Sequence, residues 1–233
     1  MMIKLIQISD CHIDDDKLTM GADTQLNLEK IIAEIAKLSF DALLITGDLT
    51  HNGTLSAYQR LKELLTPIKQ PIYVFGGNHD QVEHLSDVFA DNLFSTISLD
   101  NWTVVNIDSV QPNKTSGRVT QAALNTLDKQ LGNIKSEHVM LALHHPVVPM
   151  NSSWDDSLSL ENPQKLFQTL GKHSKIRSII FGHAHEAAEF TRDKLDIISC
   201  PSTALQFTNE PRIGFNIYNL HTNGMLDWQT QWI

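Results

Sequence analysis

The sequence predicts an α/β fold in one domain, and three observations predict it. Short apolar runs recur along the chain. Most are followed by segments with the 3.6-residue apolar period of an amphipathic helix. Beyond Asp196 the pattern changes to successive strands joined by turn residues. Taken in order, residues 3–8 read as the first strand, and Leu28, Ile31, Ile32, Ile35 and Leu38 then share one helical face. Residues 42–45 form a second strand, followed by a helix with Leu55, Tyr58, Leu61 and Leu65 in line. Strands at 72–75 and 103–107 precede a third helix, whose stripe is Leu124, Leu127 and Leu131 and whose N-cap is Thr120. After a strand at 139–143, a fourth helix has Asn162 as N-cap, Pro163 at its first position and Gly171 just past its end. Strands follow at 176–181, 197–200, 213–220 and 225–232, the last two joined by a hairpin at Thr222-Asn223-Gly224. The chain has no internal repeat, low-complexity tract or linker-like stretch, so residues 1–233 read as a single domain.

Composition narrows the possible functions. Hydrophobic residues make up 41% of the 233 residues and charged residues 19%, an ordinary globular balance. No apolar run approaches the roughly 20 residues of a membrane span, so no membrane partner is expected. The opening Met1-Met2-Ile3-Lys4-Leu5-Ile6 is too short for a signal peptide. The two cysteines lie far apart in sequence, which points to a reducing cytoplasm rather than a disulfide framework. A formal net charge of −9 repels polyanions and argues against dedicated nucleic-acid binding. A small anion remains compatible, because bound cations reverse the local field. The sequence leaves the oligomeric state open.

Polar clusters begin where the strands end, the edge at which α/β sheets bind ligands. They are Asp10-Cys11-His12, Gly47-Asp48, Gly76-Gly77-Asn78-His79-Asp80, His144-His145 and Gly182-His183-Ala184-His185. Each has an ordinary reading as turn decoration or a helix cap, but such decoration rarely supplies a whole ligand set at successive strand ends. Asp10 and His12 share a face and can grip one ion while Cys11, a small buried apolar residue, points away. A carboxylate at Asp48 can bridge two cations. Asn78 offers a neutral oxygen, His79 a proton donor or phosphate contact, and Asp80 a carboxylate to orient the His79 imidazole. Consecutive side chains diverge, so at most one of His144 and His145 is a ligand. The His183-Ala184-His185 pair is the sharpest chelate, with Gly182 clearing space beside it. Six of the eleven histidines lie in these clusters; the rest, such as His84, His138 and His173, read as surface residues. Carboxylate, imidazole and amide donors suit two divalent or mixed-valence transition-metal ions such as Mn, Fe or Zn. Paired metals are the standard apparatus for cleaving phosphate esters.

At these residues the chain resembles the calcineurin-like metallophosphoesterases, whose pattern D-x-H, G-D, G-N-H-[DE], H and G-H-x-H is matched without a gap from Asp10 to His185. The resemblance implies a four-layer α-β-β-α sandwich with two mixed sheets and a dinuclear metal site at the strand ends. It implies that one metal takes Asp10, His12, Asp48 and His185, and the other Asp48, Asn78, His144 and His183. It is this pattern that selects His144 over its neighbour. His79 would sit at the substrate phosphate. The chain further resembles the class III bacterial cyclic-AMP phosphodiesterases, through Gly47-Asp48-Leu49, Ala57-Tyr58, Ser153-Trp154-Asp155-Asp156 with Leu160 and Asn162, Pro201-Ser202-Thr203 and Gln206-Phe207. What that implies is hydrolysis of 3′,5′-cyclic AMP to 5′-AMP by in-line attack of a hydroxide bridging the metals. Asn78, His79, Trp154, Thr203 and Phe207 would contact the substrate, with Trp154 or Phe207 stacking on the base. Two other readings are a metallophosphoesterase for a different phosphoester and a non-catalytic scaffold of the same fold. The intact ligand set and His79 argue against the scaffold.

Overall fold

The structure, a computed structural model, describes residues 2–233. Eleven strands form two mixed sheets. The first contains β1 (Met2–Ile8), β2 (Ala42–Thr46) and β3 (Ile72–Phe75) in parallel, with β10 (Gly214–His221) and β11 (Leu226–Trp232) added antiparallel at the β1 side. The second has the order β4-β5-β6-β7-β9-β8. Its parallel centre is β5 (Trp102–Asn106), β6 (His138–Ala142), β7 (Ile176–Phe181) and β9 (Leu195–Ser199). Antiparallel β4 (Thr96–Leu99) and β8 (Ala188–Arg192) form its edges.

Strand alternation sorts the apolar residues into three layers of contact. Leu5, Leu44, Phe75 and Tyr218 of the first sheet meet Val104, Met140, Ala142, Ile180 and Ile198 of the second. The intervening residues face outward. Ile6, Ile8, Leu43 and Ile45 pack under α1 (Thr24–Ile35), α2 (Leu55–Leu64) and α3 (Val82–Phe89). Val105, Val139, Leu141 and Ile179 pack under α4 (Gln121–Asn133) and α6 (Pro163–Leu170). The result is the α-β-β-α sandwich, and β2 and β6, covered on both faces, are buried at every position.

The expected helices and strands are all present, with ends displaced by a residue or two. Thr120 caps α4 by accepting from Ala123 N at 3.1 Å. Asn162 stands at the N-cap position of α6, but its side chain makes no cap bond. Its Oδ1 accepts from Val119 N at 3.1 Å and its Nδ2 donates to Val119 O at 2.7 Å, so it ties α6 to the loop before α4. The hairpin after β10 closes with Gly224 at φ 85°, a left-handed position suited to glycine. Not foreseen were β4, β8, α3 and the six-residue α5 (Ser153–Leu158). His138, read as a surface residue, is buried beside Trp102 at a ring separation of 5.1 Å.

The floor of the strand-end region is a buried polar network between the sheets. Gln7 Nε2 donates to Thr46 Oγ1 at 2.8 Å and to Phe181 O at 3.2 Å, while Tyr218 Oη donates to Gln7 Oε1 at 2.6 Å. One side chain thus links the ends of β1, β2 and β7.

Candidate active site

The C-terminal ends of β1, β2, β3, β6 and β7 bring all five polar clusters together. Asp10, His12, Asp48, His183 and His185 each adopt positive φ, between 45° and 68°. Left-handed backbone costs an L-residue about 1–2 kcal/mol, and it persists where the surroundings impose it, commonly at functional sites. Here the strand exits are laced together: Asp10 N donates to Gly47 O at 3.1 Å and His12 N to Asp48 O at 3.0 Å. Two glycines are required by space. A Cβ on Gly77 would meet the Asp48 carboxylate, and one on Gly182 would meet Ser9 Oγ and the Asp10 carboxylate.

The donor atoms fall into two sets that share Asp48. Around Asp48 Oδ2, His12 Nε2 lies at 3.6 Å; His12 Nε2 is 3.1 Å from His185 Nε2, which is 3.5 Å from Asp10 Oδ1. Around Asp48 Oδ1, His144 Nε2 lies at 3.3 Å, with Asn78 Oδ1 and His183 Nδ1 at 3.1 and 3.2 Å from that nitrogen. Two ligands held about 2.0–2.2 Å from one cation, at near-tetrahedral or octahedral angles, lie about 2.8–3.6 Å apart. The observed edges match that spacing.

The outer ring nitrogens show why these atoms face one another. His144 Nδ1 donates to Thr46 O at 3.0 Å and His185 Nδ1 to Leu205 O at 2.8 Å. In the neutral tautomers so fixed, Nε2 presents a lone pair inward. Lone pairs converging with carboxylate and amide oxygens repel unless a cation lies among them. The donor set therefore fits two divalent metals, and groupings such as Asp10-His12-His185 and Asp10-Asp48-His144 are compact enough to hold an ion. The electrostatics agree. Burial opposes ionisation of Asp48, yet His144 and His12 hold its carboxyl well below the usual range. Burial would lower His144, but the Asp48 carboxylate outweighs it and brings the imidazole up to about 9, so at neutral pH its Nε2 carries a proton that a bound cation would displace. Burial pushes His12 down to about 3 and His183 to about 4, so both stand as neutral donors.

His79 sits beside this centre. Its backbone N–H donates to Asp48 Oδ1 at 3.0 Å, and its ring lies edge-on to His12 with centroids 4.9 Å apart. The expectation that Asp80 orients the imidazole is corrected. His79 Nδ1 donates to the carbonyl of His51 at 2.8 Å. The Asp80 carboxylate instead accepts from Gly77 N and Tyr58 Oη at 2.8 Å, Leu49 N at 3.1 Å and Thr50 N at 3.2 Å. It joins the β2 and β3 exits, and its loss would leave donors unmet at about 1–3 kcal/mol each. Burial and the nearby Asp48 charge raise its carboxyl to about 6.

His51, read from sequence as outside the site, belongs to it. Its ring stacks on His79 at 4.9 Å and 23°, and its Nδ1 lies 3.3 Å from His12 Nδ1. With His12 Nε2 facing the centre, His12 Nδ1 carries the proton and His51 Nδ1 accepts it. His145 lies beside the centre, its ring 4.8 Å from that of His183 and its donor atom grouped with those of His144 and His183, but its nitrogens are engaged by Ser109 Oγ at 2.8 Å and Thr115 O at 3.1 Å. Cys11 is fully buried, and burial pushes its thiol up to about 12. Thr203 is also fully buried, so it supports the floor rather than touching a substrate. Phe207 stacks on His185 with rings 4.0 Å apart at 7°, and Trp154 meets Phe207 edge-on at 5.1 Å. Both aromatic rings are exposed, at 43% and 54%.

A four-layer sandwich carrying paired donor sets at its strand ends is the architecture of a metal-dependent phosphoesterase. The chain belongs to the calcineurin-like phosphoesterase family, whose model matches residues 3–187. That membership makes it a metal-dependent phosphoester hydrolase. It is 54% identical over 233 residues to a probable cyclic nucleotide phosphodiesterase of Vesicomyosocius okutanii, with 100% of both chains covered. It is 30% identical to the 3′,5′-cyclic adenosine monophosphate phosphodiesterase CpdA of Pseudomonas aeruginosa, over 97% of this chain and 88% of that one. A dimetal phosphatase from Danio rerio shares the fold, with a TM-score of 0.74 at 14% identity over 94% of this chain and 93% of that one.

Proposed function

We propose that this chain hydrolyses 3′,5′-cyclic AMP to 5′-AMP, as a single domain spanning residues 1–233. The observation that carries the reading is the division of Asp48. Its two carboxylate oxygens face different donor sets, with His79 at their edge and an exposed aromatic pair beside them. Asp10, His12, Asp48 and His185 would hold one ion of Mn, Fe or Zn, and Asp48, Asn78, His144 and His183 the other. When bound, such a pair supplies Lewis-acid activation of water and offsets charge on the phosphoryl oxygens.

The chain's own groups do the rest. Asn78 and His79 face the phosphate. The Nδ1 proton of His79 is held by His51 O, leaving Nε2 as the nitrogen that exchanges protons with the substrate. As the oxygen of an activated water joins phosphorus, its proton passing to solvent, and the P–O3′ bond breaks, a proton carried on His79 Nε2 passes to the departing 3′ oxygen; the proton shed by water balances the one His79 spends. Phe207, held flat on His185, and Trp154 offer an apolar surface on which the adenine can stack. The names of the relatives support a cyclic nucleotide as substrate. The net charge of −9 favours a small anion over a polymer. No helix among the described residues is long and apolar enough to cross a membrane, and the two free cysteines support a cytoplasmic setting.

A screen of the purified protein against cyclic nucleotides, nitrophenyl phosphodiesters and phosphomonoesters tests the reading. Efficient turnover of cyclic AMP, with diesters preferred, is the expected result. Intact cyclic AMP alongside rapid turnover of another phosphoester would leave only the hydrolase class standing.

A further inference from the structure

We propose that a second binding site, for a small organic phosphate, lies between the end of α6 and the β8–β9 turn. A groove of about 830 Å³ opens there, within the usual range for a small-molecule site. Its floor is apolar, formed by Phe167, Leu170, Ile176 and Leu195. Its rim carries Arg177, Arg192 and Lys194 against one carboxylate, Asp193. A cationic concavity is unexpected on a chain whose net charge is −9.

The cations are available to a ligand. Among the described residues, Arg192 and Lys194 have no hydrogen bond or ion pair from their side chains, and Arg177 spends one N–H on Ser174 O at 3.0 Å. The nearby Asp128 does not neutralise them, since its carboxylate is occupied by Lys172 at 2.6 Å and His173 at 2.7 Å. Arg192 is already oriented. Its guanidinium lies 4.2 Å over the Phe167 ring, which fixes the plane of a fork suited to phosphate oxygens. The phosphate meets this fork with Arg177 and Lys194, and the organic body lies along Phe167 and Leu195. The groove is not the catalytic site. It lies at the start of β7, whose other end leads into His183, about 20 Å away at the rise of an extended strand.

The test uses zinc-loaded, isotope-labelled protein, with backbone amide resonances followed on addition of 5′-AMP, adenosine or inorganic phosphate. With 5′-AMP, the amides of residues 171–177 and 191–195 should shift and saturate below about 1 mM, separately from those near His183. Adenosine should leave them unmoved, and inorganic phosphate should bind at least tenfold more weakly. Arg192→Glu should weaken groove binding tenfold or more while the KM for phosphodiester hydrolysis stays unchanged. Lys194→Glu, on the exposed turn, gives the same readout if the first variant folds poorly. Groove shifts that fail to saturate, that sodium chloride at matched ionic strength reproduces, or that survive both charge reversals would overturn the site.

Discussion

His79 Nδ1 donates to the main-chain carbonyl of His51 at 2.8 Å, and the two imidazoles stack with centroids 4.9 Å apart. The bond fixes the tautomer of His79 and leaves Nε2 without a hydrogen-bond partner among the described residues. His79→Ala should retain near-normal metal content while kcat for a cyclic nucleotide falls about 10²- to 10⁴-fold, the scale of a lost general acid. The loss should shrink for a nitrophenyl diester, whose leaving group needs no proton. Equal losses on both substrates would remove the acid role.

The same His51 holds His12 through its ring, with the two Nδ1 atoms 3.3 Å apart. Partners of this kind orient a metal ligand and tune its basicity. His51→Ala keeps the carbonyl that holds His79 but loses the ring. Metal affinity, measured by competition with a chelator, should fall about 10- to 100-fold. Unchanged affinity would show that His12 needs no such support.

Phe207 and Trp154 separate recognition of the base from chemistry at phosphorus. Phe207→Ala or Trp154→Ala should raise KM for cyclic AMP and leave KM for a small nitrophenyl diester little changed, because only the nucleotide has a base to stack. Steady-state kinetics on both substrates decide the matter. Parallel increases would place these rings in general structural support.

The candidate donors were legible in the sequence because metal chemistry restricts each position to a few residue types at strand ends. Asp10, His12, Asp48, Asn78, His144, His183 and His185 all meet in space. Periodicity alone reached only as far as an α/β fold; the sandwich came from the family resemblance. β4 and β8 escaped notice as short edge strands, and β8, with Glu189 and Arg192, lacks the apolar run of its buried neighbours. The six-residue α5 is too short to show a helical period. Asp80 misled because adjacency to His79 in the chain suggested contact, whereas the turn aims its carboxylate at backbone amides of the β2 exit. His51 had no motif to mark it; its role comes from a loop that folds back over His12 and His79. Thr203 shows the opposite case, a polar residue near the site that lies wholly beneath it.

Glu161 gives a pH test away from the metal centre. It accepts hydrogen bonds from Lys114, Gln111, Ser116 and Arg118, which tie the loop beside Asn78 to the start of α6. Those bonds, Lys114 foremost, lower its carboxyl from 4.5 to about 2. A carboxyl depressed on folding adds stability that is present in full above the unfolded value and lost as pH falls through the folded one. Glu161→Gln should therefore lower Tm at neutral pH, and the gap from the parent should close between pH 4.5 and about 2. A gap that stays constant over this window would show that the charge of Glu161 contributes nothing.

The most direct test of two cations shared by Asp48 is to titrate Mn into metal-stripped protein while 5′-AMP formed from cyclic AMP is measured by chromatography. The account predicts no product in chelator, activity that rises to a plateau near two ions per chain, and loss of both activity and retained metal in Asp48→Ala, more severe than in His12→Ala. Full turnover of cyclic AMP by metal-free protein, or wild-type rate and metal content in Asp48→Ala, would contradict it.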